Sequence, residues 1–302
     1  MHNILIIFNP HAGSGRSKSF LPLIETYLNK RKITYYIAHT QSTGHAKSLV
    51  EITDLSQFDG VIAAGGDGTL FEVINGLMNK QKSHRIPFGV IPVGTGNAFA
   101  RELGLLPTDW KKGIDILLQQ KTKSIDIGHV QMAGSEFYFL NIMGMGFVEK
   151  VGKTSLKIKK MGKTAYTFAT LWETIKLKKH PIKLTVLDVN NNIEIIDEQL
   201  VFVEVANSRY TGTSFLIAPD AKIDDGLLDV VILKKISKLK ILSLFPTIYS
   251  GRHINYQEVE TRKAKSITIE SQTPMPLMPD GEFMGHTPVH ISCKPLELEL
   301  LY

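Results

Sequence analysis

Hydrophobic positions along this chain fall into two textures. Up to about residue 125, short runs that are apolar throughout alternate with amphipathic stretches. Residues 4–8 (Ile-Leu-Ile-Ile-Phe) predict a buried strand, and 18–31 predict a helix with Phe20, Leu21, Ile24 and Leu28 on one face. The same reading predicts strands at 35–39, 61–64 and 88–91 and helices at 44–52, 70–78 and 98–103. Uniformly apolar strands separated by helices imply a parallel sheet covered on both faces. Beyond about residue 127 the runs at 129–132, 136–142, 182–189, 200–206, 228–233 and 266–270 alternate or are β-branched, with one helix predicted over 163–179. The expectation is an α/β domain over 1–127 and a β-rich domain over 128–302, with a last strand at 296–301 able to return to the first domain.

Composition adds limits rather than a function. A chain of 302 residues has room for two domains at roughly 100–200 residues each. With 43% hydrophobic and 21% charged residues it is an ordinary globular chain. Its net charge of +6 favours anionic partners without choosing among nucleotide, nucleic acid and acidic membrane. The single cysteine, Cys293, excludes an intramolecular disulfide and a Cys-rich zinc site, and the ten histidines have no metal-ligand spacing. The opening apolar run is too short for a signal peptide, and no run approaches the ~18–20 residues of a membrane span. The expected location is the cytoplasm, with any membrane contact peripheral.

The candidate chemistry lies in three glycine-rich turns, each following a predicted strand, where an open α/β sheet binds its ligands. The first, residues 9–16, carries Asn9, Gly13 and Gly15 and ends on Arg16. Its glycines let backbone amides approach an anion, but no Gly-Lys-Ser/Thr closes it as a Walker loop would. The second, Gly65-Gly66-Asp67-Gly68-Thr69, is more specific: little bulk surrounds one carboxylate. Asp67 could reach a polyphosphate's Mg²⁺ or the attacking hydroxyl, and Thr69 a phosphate oxygen. An ordinary helix N-cap is the competing reading of Asp67. The third, Pro92-Val93-Gly94-Thr95-Gly96-Asn97, repeats the arrangement after the next strand.

These turns, followed by Ala206-Asn207-Ser208, the stretch from Ala218 to Asp229, and Asp280-Gly281-Glu282, resemble the diacylglycerol kinase catalytic domain family. That family also holds the sphingosine and ceramide kinases and the soluble bacterial lipid kinases. The likeness covers nearly the whole chain in the right order. It implies a Rossmann-like parallel sheet binding ATP and a sandwich-like second domain receiving lipid. It also implies ATP contacts at Thr40, at Gly66, Asp67, Gly68, Thr69, Leu70, Phe71 and Glu72, and at Thr95. Glu282 is implied as general base toward the lipid hydroxyl, helped by partial desolvation. A structural Mg²⁺ is implied on the Asp225 carboxylate and the carbonyls of Lys222 and Leu227. Without the resemblance, Asp224-Asp225-Gly226 reads as a turn and a Glu after Asp-Gly as surface. Asp126 is either part of an Asp–water–Mg²⁺ network toward Asp67 or a hinge or salt-bridge residue.

The expectation is an ATP- and Mg²⁺-dependent lipid kinase with diacylglycerol as first-choice acceptor. Phosphatidylglycerol, a sphingoid base or another lipid alcohol fits the same motifs. NAD kinase shares the Gly-Gly-Asp-Gly-Thr turn, but the Asp-Gly-Glu and Asp225 loops argue against it; a non-catalytic sensor would have no use for both Asp67 and Glu282. The lysines from Lys150 to Lys179, interspersed with Met161, Tyr166 and Trp172, suit either an anionic bilayer or a solvated helix face. Nothing accompanies that charge to suggest nucleic-acid binding. Oligomeric state is open, a homodimer included.

Overall fold

A computed structural model describes residues 3–157, 165–212 and 214–302. The chain divides into two compact units. One comprises Met1–Ile127, Tyr138–Leu140 and Pro295–Tyr302, and the other Gly128–Phe137 and Asn141–Lys294.

In the first unit, β1 (Asn3–Phe8), α1 (Leu21–Lys30), β2 (Thr34–His39), α2 (His45–Ile52), β3 (Gly60–Gly65), α3 (Asp67–Met78), β4 (Phe88–Pro92) and α4 (Trp110–Leu118) follow one another. The strands are parallel in the order β2-β1-β3-β4, so their C-terminal ends share one edge. The order reverses between β1 and β3, the switch point where such sheets bind ligands. β1, β3 and β4 have almost no exposed residue, as their apolar runs predict. Ile4, Ile6 and Phe8 pack with Ile62, Ile91, Ile24, Leu28 and Ile114. The expected helix at 98–103 is a 3-10 segment, Phe99–Leu103, and α4 lies where none was expected.

The second unit is β-rich. β5 (Thr122–Met132) leads into it, followed by β6 (Ser135–Phe139), β7 (Ile142–Gly146), α5 (Phe147–Lys157) and α6 (Ala165–Ile175). Then come β8 (His180–Asp188), β9 (Ile193–Leu200), β10 (Phe202–Ala206), a short pair β11 (Tyr210–Thr211) and β12 (Phe215–Leu216), and β13 (Leu228–Leu233). α7 (Lys238–Leu244), β14 (Val259–Ser271), β15 (Leu277–Pro279) and β16 (Val289–Leu301) complete the chain. Antiparallel pairing runs β15-β7-β10-β13-β14, and β14 also pairs with β8 and the start of β16. The far end of β16 lies in the first unit, where Leu300 pairs parallel with Phe88. The run 136–142 is thus two elements, and α5 and α7 interrupt a stretch in which only α6 was expected. Lys159, Lys160, Met161 and Lys163 fall outside the described residues.

Gly146 ends β7 at φ 82, and a Cβ there would lie 2.7 Å from the Val201 carbonyl oxygen. Gly146→Ala should destabilise the protein by about 2–3 kcal/mol, combining left-handed strain with overpacking. Urea unfolding measures this; an unchanged midpoint would remove Gly146 as the reason β7 can end there.

Candidate functional site

Three loops at the C-terminal edge of the parallel sheet are locked together mainly by backbone. The Gly65 carbonyl accepts from the amides of both Val93 (3.1 Å) and Gly94 (2.9 Å). A Cβ on Gly94 would lie 2.5 Å from Gly66 Cα and 2.8 Å from Gly66 N, so these turns meet at a distance that no side chain permits. Asp67, in the first turn of α3, accepts the Ala98 amide at 2.7 Å and ties the α3 start to the third turn. The Asn9 side-chain amide donates to Thr69 Oγ1 at 3.0 Å, while its carbonyl oxygen accepts the His11 amide at 2.9 Å. The first loop then passes through three successive left-handed residues, Gly13, Ser14 and Gly15. Such curvature forms a concave backbone surface that suits an anion, and Ser14 adopts it without glycine's freedom.

Asn9, Gly13, Gly15, Thr40, Gly66, Asp67, Gly68, Thr69 and Thr95 are therefore gathered at one edge. Thr40 directly follows β2, 6% exposed, its amide bonded to the Phe8 carbonyl at 2.9 Å. Thr95 is exposed and Thr69 buried. In α3 the Leu70 N–H donates to the Gly66 carbonyl, and the amides of Gly68 and Thr69 precede that bond in the first turn. They supply the partial positive charge of a helix N-terminus.

Four other residues singled out from the sequence have protein surroundings of their own. Leu70 and Phe71 are buried on α3. Glu72 accepts the Gly44 amide at 2.7 Å and the Ala46 amide at 2.9 Å, capping α2 from the neighbouring helix. Asp126, fully buried, accepts the Leu296 amide at 2.8 Å, where Leu296 is held at φ 49; this is a backbone-shaping role.

In the second unit the family motifs line one end of the sheet. Ile142, Ala206, Asp229 and Lys263 are opposite one another across β7, β10, β13 and β14. The Asp280 amide bonds the Ile142 carbonyl, and its carboxylate accepts the amides of Asn141 (2.9 Å) and Ile142 (3.1 Å). Asp280 thus shapes the turn that presents Glu282, with Asp280 and Gly281 both left-handed. Glu282 is half-buried and donates its amide to the Pro279 carbonyl at 2.8 Å. In the neighbouring loop, Asp225 Oδ1 accepts the Leu227 amide at 3.1 Å, and Lys263 Nζ lies 3.0 Å from both Asp225 Oδ2 and Asp229 Oδ2. Burial pushes the Asp229 carboxyl up, and Lys263 draws it back. Among the described residues no group of three or more His, Cys, Asp or Glu side chains could hold a metal, so any ion here depends on carbonyls as well.

Glu204 escaped the sequence reading, although a lone acid within the buried run Phe-Val-Glu-Val-Ala of β10 marks it. It is 2% exposed with Oε2 unpartnered, and burial pushes its carboxyl up to about 8. From pH 4.5 to 8 the folded protein keeps a proton that the unfolded chain has released, so this group's stabilising contribution is lost as pH rises, at about 1.4 kcal/mol per unit. Glu204→Gln has no proton to lose. Its stability relative to wild type should rise by up to about 4 kcal/mol between pH 5 and 8, read by urea unfolding; parallel pH curves would refute the assignment.

Comparison with known proteins agrees with these motifs. Residues 3–130 match the diacylglycerol kinase catalytic domain, and residues 143–302 the YegS C-terminal NAD kinase beta sandwich-like domain. A diacylglycerol kinase of Mycobacterium tuberculosis (strain CDC 1551 / Oshkosh) is 35% identical over 258 residues, 85% of this chain and 81% of the relative. That of Bacillus subtilis (strain 168) is 32% identical over 293 residues, 95% and 92% of the two chains. A crystal structure of a diacylglycerol kinase from Bacillus anthracis str. Sterne has TM-score 0.74 at 25% identity, covering 100% of this chain and 97% of its own. With parallel-sheet and β-rich units in the expected order and relatives matched nearly end to end, this chain belongs to the diacylglycerol kinase family of lipid kinases.

Proposed function

We propose that the chain transfers the γ-phosphate of ATP to the free hydroxyl of diacylglycerol, giving phosphatidic acid. The observation that carries this reading is the backbone-locked cradle of three glycine turns at the start of α3, joined in one chain with an Asp-Gly-Glu turn. Phosphoryl transfer asks for alignment and charge neutralisation more than for covalent chemistry. The amides of Gly68 and Thr69, the Thr69 and Thr95 hydroxyls and the curved 13–15 segment would bind the polyphosphate. Asn9 and Asp67 would hold these groups in register through Thr69 and Ala98. Thr40 would bound the nucleotide at the next strand end. Glu72 would contribute by keeping α2 against α3, and Leu70 and Phe71 by anchoring α3 in the core. Glu282 would accept the proton of the lipid hydroxyl as its oxygen attacks, so that no phospho-enzyme is needed.

Magnesium fits two places by donor chemistry. Asp67 is an oxygen donor beside the phosphate cradle. In the second unit, Asp225 and the carbonyls of Lys222 and Leu227 are hard oxygen donors of the kind Mg²⁺ takes. Each Asp225 oxygen already accepts one donor, from Leu227 or Lys263, and has a second lone pair to offer. When bound, the ion would neutralise charge on phosphate oxygens at Asp67 and brace the loop at Asp225.

The acceptor side favours peripheral membrane contact. No helix among the described residues is long and apolar enough to cross a membrane. Phe168 and Trp172 on α6 are 50% and 54% exposed, with Lys176 Nζ 5.1 Å from the Trp172 ring centre. On α7, Leu239 is 80% exposed beside Lys238 and Lys240. Exposed aromatics and aliphatics among lysines suit an anionic bilayer surface.

Purified protein given Mg²⁺ and labelled ATP should label diacylglycerol in mixed micelles and leave NAD unlabelled. Label in NAD alone, or in none of a panel of lipid alcohols, would remove the proposal. Glu282→Gln should lower transfer by about 10²–10⁴-fold while ATP binding stays within about twofold; retained turnover would mean another base. Mg²⁺ without nucleotide should raise the melting temperature of wild type but not of Asp225→Ala, and an equal rise in both would take the ion away from that loop.

A further inference from the structure

The second unit contains an apolar cavity of about 50 Å³ walled in part by Phe147, Val148, Phe202, Phe215 and Ile248. None of the groups assigned to phosphoryl transfer lines it. Glu204 does, on the middle strand of the β7-β10-β13 block, with the hydroxyl residues Thr170 and Thr211 as the other polar lining. Its Oε2 has no hydrogen-bond partner. Directly opposite on β7 is Gly144, where a Cβ would lie 3.4 Å from Glu204 Oε1, so this position leaves the carboxyl its space.

A carboxyl group without a partner inside a protein is expensive, and native structures seldom keep one without use. The surrounding walls hold it neutral, and a neutral carboxyl has an O–H to donate as well as an oxygen that accepts. A ligand that relieves this deficit carries a hydrogen-bond acceptor next to hydrocarbon. A lone water fits less well, since it wants two to four polar partners and these walls are mostly apolar. Position supports a role near the acceptor. Glu204 is opposite Gly144, and Gly144 is opposite Met278 on β15, so two strand spacings of about 5 Å separate Glu204 from the strand that leads into the Glu282 turn. Met278 turns toward the same helix, α5: a Cβ on Gly152 would lie 2.5 Å from its sulfur.

We propose that Glu204 is a hydrogen-bonding subsite for an acyl ester carbonyl of the lipid acceptor, with the apolar walls receiving the adjoining part of the chain. The proposal rests on the reading of the chain as a kinase of acylated glycerol. It makes Glu204 a specificity-determining residue, distinct from the groups that bind phosphate or accept the proton.

The test compares 1,2-dioctanoylglycerol with its diether analogue, which keeps the hydroxyl and chain length but lacks both ester carbonyls. Wild type should show a KM about tenfold lower for the ester, the worth of one hydrogen bond, with kcat little changed. Glu204→Gln, whose amide still donates, should keep the preference. Glu204→Leu should lose it through a higher KM for the ester, with its melting temperature recorded as a fold control. A wild type that treats the two lipids alike, or a leucine variant that keeps the preference, would overturn the subsite; the first result would leave Glu204 facing an internal water. Partition of each protein onto micelles doped with either lipid reads the same preference without turnover. A preference in partition with no phosphate transferred would sink the kinase reading and leave the subsite standing.

Discussion

The proposed phosphate end of this protein depends on the meeting of two glycine turns with no side chain between them. The Gly65 carbonyl accepts two amides of the next turn, and Gly94 comes so near Gly66 that a methyl group at Gly94 would overlap main-chain atoms. Everything placed above that contact takes its position from it. Asp67 can reach the Ala98 amide only if the third turn lies against the start of α3, and Asn9 can reach Thr69 only if β1 and β3 end level. A cradle built this way consists mostly of N–H groups whose directions are fixed by strand ends and by a helix start. It needs little reorganisation when charge arrives, which is the condition under which fixed dipoles stabilise a transferring phosphoryl group most effectively.

The second unit solves a different problem by different means. Its motif residues are held by side chains at one end of an antiparallel sheet. The Asp280 carboxylate fastens two amides at the start of β7, and Lys263 bridges Asp225 and Asp229. Here glycine serves turn geometry at Gly281 and makes room at Gly144. Main-chain recognition of a polyphosphate is indifferent to what receives the phosphate. Choice of acceptor has to come from side chains, and the carboxyl at Glu204 and the proposed base at Glu282 both belong to this unit.

Much of the fold is legible in the sequence because the buried strands carry their signal alone. Runs such as 4–8 and 61–64 have no polar position to confuse the period, and each ends in a glycine turn that places the edge of the sheet. The helices were harder. α5 has Gly152 at its centre and six polar or charged residues among its eleven, and α7 is only seven residues long, so neither shows enough turns for the helical period to stand out. Asp67 was identifiable as a special acid, but its Ala98 partner depends on how two turns meet. Glu72 reads in sequence as a continuation of the phosphate motif, and its cap on α2 is a contact 28 positions away that no local pattern announces. Thr40 and Glu282 were visible only through the family, since a lone Thr after a strand and a Glu after Asp-Gly have common structural explanations.

Glu204 shows the limit of pattern reading from the other side. Within a continuous apolar run a single acid announces that something is unusual, yet the run cannot say whether the carboxyl finds an arginine, a metal or nothing. The answer depends on the opposite strand. Gly144 gives the carboxyl room without giving it a partner, and the residues of α5 and the 245–248 segment around the cavity are apolar. A tenfold discrimination is small beside a protein's total stability of about 5–15 kcal/mol, but a neutral acid buried without a partner draws on that total continuously. Folding alone would favour an apolar side chain at this position, like the Val203 and Val205 beside it on the strand. Retaining glutamate is therefore an argument about binding, in which a cost in the free protein is recovered when a carbonyl enters.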